Sequence, residues 1–388
     1  MTLQQNLLTV PQGQFRLTRL PKRERELLQA FDAADEYLLT QLAEQQGLNN
    51  ASVLILNDSF GALAVALSAY QPYALSDSYL SQQATLINLA ENGLPCERVT
   101  LLSSLAKLPK CFDTVLLKLP KNLGLLEDQL LRLRPYLTPS SRIIAAGMVK
   151  HIPSSVWRLF ETIIGPTETS PARKKARLIS VAVNPQLALP SNPYPVYYRL
   201  ENTALLIANH ANVFSRDKLD IGTRFFLQYL PTKSDANDII DLGCGNGVLG
   251  LLAAQLNPHA TVCFIDESFM ALASAEENFR RAYGTTKAAS FIAADGLTTT
   301  ASHSADLILC NPPFHQQTTV GDAVAVSMFQ QAKRVLRNNG ELWVVGNRHL
   351  NYHQVLKRFF NNVELVASNA KFVINTVRHD YCCLLYTS

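Results

Sequence analysis

The chain has 388 residues, of which 47% are hydrophobic and 17% charged, and a formal net charge of +4. This length favours two globular domains over one, and no apolar run reaches the roughly 18 residues that a membrane-spanning helix needs. The first residues show no signal peptide, and the seven cysteines lack the spacing of a zinc site. We therefore expect a reduced, cytoplasmic protein with neither a membrane partner nor a bound metal.

Apolar strands alternate with helical segments in both halves of the chain, and blocks of the first half recur in the same order in the second. The matched blocks are 53–64 with 239–250, 74–77 with 264–266, 113–120 with 306–313, and 134–143 with 333–342. Such alternation builds parallel sheets from right-handed βαβ units. The sequence therefore predicts an α/β fold of two tandem Rossmann-like domains, each a mainly parallel sheet flanked by helices.

A basic run and a proline-rich stretch end the first domain. The run 173–177 is either a solvated surface, the usual case, or a surface that contacts RNA phosphates through Arg173, Lys174, Lys175 and Arg177. Residues 178–183 indicate a strand that closes the first sheet, among prolines that indicate a linker. The predicted division is a first domain 1–185, a linker 186–200, a second domain 201–380 and an uninterpreted tail 381–388.

A glycine-rich turn joins a strand to a helix in the second domain. It consists of Gly243, Cys244, Gly245, Asn246 and Gly247. Glycine allows positive φ and leaves space where a Cβ would collide, so a ligand can approach the backbone closely. Because ligands of open parallel sheets bind at the carboxyl ends of the strands, the turn is a predicted ligand site.

Acidic residues near this turn narrow the kind of ligand. Asp266, followed by Glu267, ends the next strand, where a carboxylate can bind both hydroxyls of a ribose, and Asp295 ends a third strand, where it could accept an adenine amino group. Segment 245–250 also satisfies the dinucleotide fingerprint, which leaves an NAD-dependent oxidoreductase open. Asp241 disfavours that alternative, because a carboxylate just before the turn suits a cationic amine better than a pyrophosphate.

Two consecutive prolines end the apolar strand at 305–309, in the tetrapeptide Asn311-Pro312-Pro313-Phe314. Proline ends a strand because it lacks an N–H and fixes φ. The tetrapeptide resembles the signature of amino-group methyltransferases, and residues 241–247 resemble the first motif of the S-adenosylmethionine-dependent methyltransferase superfamily.

The resemblance extends over nearly the whole chain. The sequence is similar to ribosomal RNA guanine-N2 methyltransferases with a duplicated methyltransferase domain, through the stretches 33–39, 53–58, 174–179, 210–216 and 310–317. This implies methylation of a guanine N2 in 23S ribosomal RNA with S-adenosylmethionine as donor. It also implies a catalytic second domain and a first domain that helps to bind RNA. We expect a monomer.

The resemblance also implies roles for individual residues. The Asn311 side-chain oxygen and the Pro312 carbonyl would accept hydrogen bonds from the target amine, Pro313 would restrict the loop, and Phe314 would stack on the base. In related enzymes the segment before the catalytic sheet covers the donor pocket. Arg216 in this segment is either a surface arginine or an RNA contact. The candidate donor-pocket residues there are Phe214, Ser215, Asp220, Gly222 and Thr223.

The first domain lacks most residues of this pattern. The matched positions, first domain before second, are Ile55 and Asp241, Asn57 and Gly243, Ser59 and Gly245, Asp77 and Asp266, and Lys118 and Asn311. We predict a degenerate copy that binds no donor and catalyses nothing, with Lys118 as a further phosphate contact.

The tetrapeptide does not identify the methylated group. Guanine N2 in small-subunit ribosomal RNA, adenine N6 and a glutamine amide remain open. A non-catalytic RNA-binding module is disfavoured, because the second domain keeps every motif. Calorimetry with S-adenosylmethionine separates the methyltransferases from that module and from the oxidoreductase.

Overall fold

The computed structural model describes residues 6–22, 28–45, 48, 51–233, 235–313 and 319–380, without the side chains of 319–322. The chain forms two compact units, Met1–Tyr194 and Pro195–Ser388, and this division lies inside the predicted linker 186–200. The linker is structured on both sides of the division. Tyr194 donates its hydroxyl to Glu127 Oε2 at 2.8 Å in the first unit, whereas residues from 196 onward form a strand of the second.

The first unit contains a two-stranded hairpin and a seven-stranded sheet. Its strands are β1 (Leu7–Val10), β2 (Gly13–Arg16), β3 (Val53–Leu56), β4 (Tyr73–Ser76), β5 (Thr100–Ser103), β6 (Thr114–Lys118), β7 (Arg142–Met148), β8 (Thr167–Thr169) and β9 (Ala176–Val181). Its α-helices are α1 (Ala33–Glu44), α2 (Ala62–Ala66), α3 (Tyr79–Glu91), α4 (Leu123–Leu133) and α5 (Ser155–Ile163). The sheet order is β5-β4-β3-β6-β7-β9-β8, and β9 is antiparallel to both of its neighbours, β7 and β8.

The second unit repeats this architecture. Its strands are β10 (Val196–Arg199), β11 (Leu206–Asn209), β12 (Asp238–Leu242), β13 (Thr261–Asp266), β14 (Ala289–Ala293), β15 (Ala305–Cys310), β16 (Leu336–Asn347), β17 (Val363–Ser368) and β18 (Phe372–Arg378). Its α-helices are α6 (Ile221–Leu227), α7 (Val248–Leu256), α8 (Phe269–Tyr283), α9 (Thr319–Val335) and α10 (Tyr352–Leu356). The sheet order β14-β13-β12-β15-β16-β18-β17 is the same topology.

The predicted tandem fold is therefore confirmed, and the duplication also includes the hairpin before each sheet. In both sheets the strand order reverses beside the central strand, next to β6 in the first unit and next to β15 in the second. Leu242 at the end of β12 pairs with Cys310 at the end of β15. The residues that follow these strands, Gly243 and Asn311, thus come together at the switch point, where open α/β sheets bind ligands.

The strand registers correct one match made from the sequence. Leu56 pairs with Leu75 in the first unit, and Leu242 pairs with Ile265 in the second. The next residues, Ser76 and Asp266, therefore correspond. The sequence match of Asp77 with Asp266 was wrong by one position, and a serine stands where the second unit has the strand-ending acid.

Central strands of both units are buried on both faces, since their residues alternate between two apolar clusters. In β12, Ile239 packs in one cluster and Ile240 and Leu242 in the other. Such strands are continuous apolar runs, which made them recognisable in the sequence. Asp241 interrupts the run and lies on the same face as Ile239.

The described residues were considered for membrane-spanning helices and for metal-ligand groups. No helix there is long and apolar enough to span a membrane. In the same residues, no group of three His, Cys, Asp or Glu side chains is arranged to hold a metal ion.

Candidate active site

The glycine turn has the close-approach geometry that the sequence predicted. Gly243, Gly245 and Gly247 have φ angles of 70°, 54° and 77°. A Cβ on Gly247 would lie 2.7 Å from Ala275 Cβ, so helix packing requires this glycine. A Cβ on Gly245 would meet no described atom within 4 Å. Gly245 is therefore the point of the turn where the backbone is open to a ligand.

Asp241 presents a buried carboxylate oxygen with no protein partner. Its side chain is 1% exposed, and Oδ2 accepts a hydrogen bond from Gly250 N at 2.8 Å. Oδ1 is buried and has no partner in the described part of the chain. Burial, with a smaller contribution from the nearby Asp266, raises the pKa of Asp241 to about 8. A ligand ammonium at Oδ1 would satisfy this oxygen and favour the ionised carboxylate.

Asp266 is held at the mouth of the turn. Its Oδ2 accepts from Gly245 N at 2.9 Å, and its Oδ1 accepts from Ser268 N at 3.0 Å. Glu267 is exposed, and Asp295 is half-buried after β14, where burial raises its pKa. The carboxylate of Asp266 therefore lies beside the open glycine, as a ribose contact requires.

Two side chains of the turn are engaged within the protein: that of Asn246 is hydrogen-bonded, and that of Cys244 is buried. Asn246 Nδ2 donates to Tyr198 Oη at 3.0 Å and to Asn209 Oδ1 at 2.9 Å, which fixes the turn to the β10–β11 hairpin. Cys244 is buried, and burial raises the pKa of its thiol well above the usual range. Any contact of these two residues with the methyl donor would therefore use their main-chain atoms.

Asn278 is a structural residue that the sequence analysis missed. Its Nδ2 donates to Asn246 O and Ala208 O at 2.9 and 3.0 Å, and its Oδ1 accepts from Ala208 N at 2.7 Å. It thereby joins α8, the turn and the hairpin. The available signal was an asparagine at the same distance after the capping serine in both units, Asn88 and Asn278.

Asn311 is oriented by the start of α6. Its Nδ2 donates to Thr223 Oγ1 at 2.9 Å and lies 3.4 Å from Asp220 Oδ2. Its Oδ1 is buried and has no partner among the residues that the structure describes. Pro312 is buried and Pro313 is exposed. Phe314, the predicted base-stacking residue, lies outside the described residues.

The candidate residues Phe214, Ser215 and Arg216 lie between β11 and α6 and differ from Asp220 and Thr223 in their surroundings. Phe214 is 64% exposed, and Ser215 has a φ of 51°. Arg216 donates from Nη1 to Ala211 O at 2.9 Å and from Nε to Asp217 Oδ1 at 3.2 Å, so part of its guanidinium stabilises its own loop.

The basic run of the first unit spans the end of the turn between β8 and β9 and the first residues of β9. Lys174 and Lys175 have φ angles of 47° and 64°. Arg173 and Lys174 form ion pairs at 3.4 and 2.7 Å with Glu44 and Glu36. Lys175 is exposed and has no described ion partner, whereas Arg177 is half-buried in β9 with an unpaired Nε. We call residues 173–177 the basic hairpin.

Lys118 does not supply the free charge that the sequence predicted. Its Nζ lies 2.7 Å from Oδ1 of both Asp32 and Asp35, and its side chain is only 13% exposed. The two carboxylates neutralise the ammonium inside the first unit. This corrects the expectation that Lys118 contacts RNA phosphate.

Comparison with known proteins agrees with this architecture. Residues 5–185 match the RLMG N-terminal domain family, and residues 204–376 match the methyltransferase small domain family. A Pseudomonas aeruginosa protein named ribosomal RNA large subunit methyltransferase G is 52% identical over 371 residues, which cover 95% of this chain and 98% of the relative. The chain belongs to the ribosomal RNA large subunit methyltransferase G family.

Further relatives support that membership and the fold. A methyltransferase G of Streptomyces griseus is 48% identical over 378 residues, with 95% of this chain and 98% of the relative covered. A solved structure of a T. thermophilus 16S rRNA N2 methyltransferase in complex with AdoMet and guanosine has a TM-score of 0.72 at 18% identity. It covers 96% of this chain and 97% of that chain, and so supports the tandem fold.

Proposed function

We propose that this chain transfers a methyl group from S-adenosylmethionine to the exocyclic N2 amine of a guanosine in 23S ribosomal RNA. The central observation is that an open glycine turn and an oriented asparagine with a free acceptor lie side by side at the switch point. Methyltransferase activity on large-subunit ribosomal RNA is what the names of the curated family members state. The protein would act as a monomer in the cytoplasm.

The donor would be held by residues of the second unit alone. S-adenosylmethionine, when bound, supplies the methyl group on a sulfonium. The orphaned Oδ1 of Asp241 fits its ammonium, Gly245 leaves room for it, and Asp266 is positioned for its ribose hydroxyls. Asp295 would receive the adenine amino group.

The target amine would be held by the loop after β15. The lone pair of an amine attached to a purine is delocalised into the ring, so the amine is a weak nucleophile. The Asn311 Oδ1 and the Pro312 carbonyl would accept hydrogen bonds from the two N–H groups of this amine. The lone pair of the amine would then point toward the methyl group of the donor. Orientation, rather than a strong base, then accounts for most of the rate enhancement, and the surplus proton of the methylated amine leaves to solvent.

The first unit would contact RNA without binding donor. Ile55 packs in an apolar cluster at the position of Asp241, and Ser76 replaces Asp266. The exposed Lys175 of the basic hairpin is the charge best suited to a phosphate. Retention of the fold without the donor residues supports a binding role.

Methylation of defined transcripts tests the proposal. Unmethylated 23S and 16S ribosomal RNA are incubated with the protein and labelled S-adenosylmethionine, then digested and analysed by mass spectrometry. We expect N2-methylguanosine in the 23S transcript. Label in 16S RNA alone would support the small-subunit alternative, and N6-methyladenosine would support the adenine alternative. Absence of both label and donor binding by calorimetry would refute a methyltransferase.

A further inference from the structure

We propose that Thr223, together with Asp220, is a positioning residue that fixes the orientation of the Asn311 side-chain amide and is not a donor contact. The inference rests on the proposed function, because it assigns Asn311 Oδ1 to the target amine. It revises the sequence prediction, which placed both residues in the donor pocket.

The chemistry of the partners determines which end of the amide faces them. A carboxylate at neutral pH only accepts hydrogen bonds, so the NH₂ of Asn311 must face Asp220. Thr223 Oγ1 accepts from the same nitrogen at 2.9 Å. The carbonyl oxygen is therefore turned to the opposite side, where it is buried and lacks a partner in the described chain. A buried oxygen of this kind can accept a hydrogen bond from a bound substrate.

The two partners are themselves held rigidly. Asp220 caps α6, since its Oδ2 accepts from Thr223 N at 2.8 Å. A Cβ on Gly222 would lie 3.0 Å from Asp220 Oδ2 and 3.1 Å from the ring of Phe372. Gly222 therefore serves to keep the carboxylate in place beneath Asn311, and it too needs no donor contact.

The first unit has a matching contact between the end of its fourth sheet strand and the start of a helix. Lys118 occupies the position of Asn311, and it binds Asp32, which caps α1, and Asp35, the third residue of that helix. Asp220 and Thr223 hold the same two positions in α6. A cation there uses both partners and leaves no acceptor, whereas a neutral amide uses the same partners and leaves Oδ1 free.

The inference predicts a loss of turnover without a loss of binding. A rotated Asn311 amide would present NH₂ to the NH₂ of the substrate, and no hydrogen bond could form. In the full chain acting on 23S RNA, Thr223→Val should lower kcat about tenfold, the value of one hydrogen bond of roughly 1.4 kcal/mol. The RNA KM and the donor Kd should stay within about twofold of wild type, and Thr223→Ser should restore kcat.

A double-mutant cycle distinguishes positioning from general damage. In an Asn311→Ala background, Thr223→Val should lower kcat no further, because the amide that it orients is gone. Additive losses would overturn the inference, as would a donor Kd that rises as much as kcat falls. The latter result would return Thr223 to the donor pocket.

Two further measurements keep the test independent of activity and of folding. Hydrogen exchange of the Asn311 side-chain amide, followed by NMR, should be faster in Thr223→Val than in wild type. Asp220→Asn preserves a good helix cap but adds a competing NH₂, and it should lower kcat at least as much. If the wild type methylates guanine N2 but Thr223→Val changes neither the amide exchange nor kcat, the inference is refuted and the proposed function is not. A wild type that methylates no guanine N2 would refute the proposed function instead.

Discussion

The two units place a polar side chain at the carboxyl end of the fourth strand of the sheet and hold it with the capping aspartate of a matched helix. In the first unit Lys118 is bound by Asp32, and in the second Asn311 lies beside Asp220. The first arrangement pairs its ammonium with two carboxylates of the same unit, so Lys118 is not available to a substrate. The second leaves one buried acceptor unused. At this position, Lys118 in the first unit gives an arrangement closed by ion pairs, whereas Asn311 in the second leaves a buried acceptor without a described partner.

The turn after the first strand of each sheet keeps its backbone path but differs in its side chains. Asn57 has a φ of 62°, close to the 70° of Gly243, so the backbone path is retained. The Asn57 side chain exchanges hydrogen bonds of 2.9 and 2.8 Å with Gln129 and donates to Lys118 O at 3.1 Å. A Cβ on the matched Gly243 would lie 3.3 Å from Met328 Cε in α9, so this side of the turn packs against a helix in both units. The Asn57 contacts with Gln129 therefore fix the turn of the first unit to α4.

Features present in both units identify what the fold requires. Asn88 donates to Phe60 O and Thr18 O at 2.7 and 3.0 Å, which reproduces the contacts of Asn278. Gly61 has a φ of 82°, and a Cβ there would lie 2.8 Å from the Thr85 backbone. Because both units keep these features, they stabilise the architecture, and the chemistry must lie in the residues that differ.

The largest effect predicted from this comparison is on the stability of the first unit. Lys118→Met leaves the buried Asp35 without its counter-ion and should lower the free energy of unfolding by about 3–5 kcal/mol. The chain has two tryptophans, Trp157 in the first unit and Trp343 in the second. In a Trp343→Phe background, urea unfolding followed by Trp157 fluorescence measures the effect on the first unit.

The matched change in the second unit is the control. Asn311→Met removes no charge, so it should cost the second unit clearly less when Trp343 fluorescence is followed in a Trp157→Phe background. Equal losses in the two units would show that the ion pair of Lys118 is not what distinguishes them.

The next largest effect is on catalysis. Asn311→Ala removes the proposed acceptor of the target amine and should lower kcat roughly 10²–10³-fold, the range for a preorganised hydrogen bond at a reacting group. The RNA KM and donor Kd should change little, because the bond matters most in the transition state. Near wild-type turnover would reduce the loop to a strand terminator.

A third prediction concerns donor affinity. Asp266→Ala should weaken donor binding by about 2–3 kcal/mol, the scale of lost charge-assisted hydrogen bonds, as measured by calorimetry. Ser76→Ala changes the corresponding residue of the first unit and should leave the affinity unchanged. An effect of Ser76→Ala as large as that of Asp266→Ala would mean that both units bind the donor.

How much was predictable depended on sequence distance. The apolar runs of β3 and β12 and the glycine turn are local patterns, so the fold and the position of the site followed from them. The partners of Lys118 did not, because Asp32 lies 86 residues away in the sequence. The Asn311 amide likewise meets Thr223 across 88 residues. The short, partly exposed hairpins before each sheet also lack a strong pattern.

A smaller effect concerns the pH dependence of the first unit. Asp58 Oδ2 accepts from Ala64 N at 2.8 Å, as Asp241 does from Gly250, and burial raises the pKa of Asp58 from 3.8 to about 7. The folded state therefore holds a proton that the unfolded state loses first. This contribution to stability is complete below about pH 4 and is lost as the pH rises through about 7, by at most about 1.4 kcal/mol per pH unit.

Asp58→Asn keeps a neutral acceptor at this position and should remove the dependence. The variant should gain stability relative to wild type as the pH rises from about 4 to about 7, measured by urea unfolding with Trp157 fluorescence. An identical pH profile in the two proteins would show that Asp58 does not hold that proton.

The smallest effect should come from the basic hairpin, where the question is whether the first unit touches RNA at all. Each cation that neutralises a phosphate steepens the log–log salt dependence of affinity by about 0.7–0.9. Lys175→Ala should flatten the slope by about that amount, and Lys174→Ala by less, because Glu36 already neutralises Lys174. Saturating turnover should stay near wild type in both. Lys357→Ala removes an exposed lysine of the second unit and controls for net charge. If its slope change equals that of Lys175→Ala, the hairpin is ordinary solvated surface.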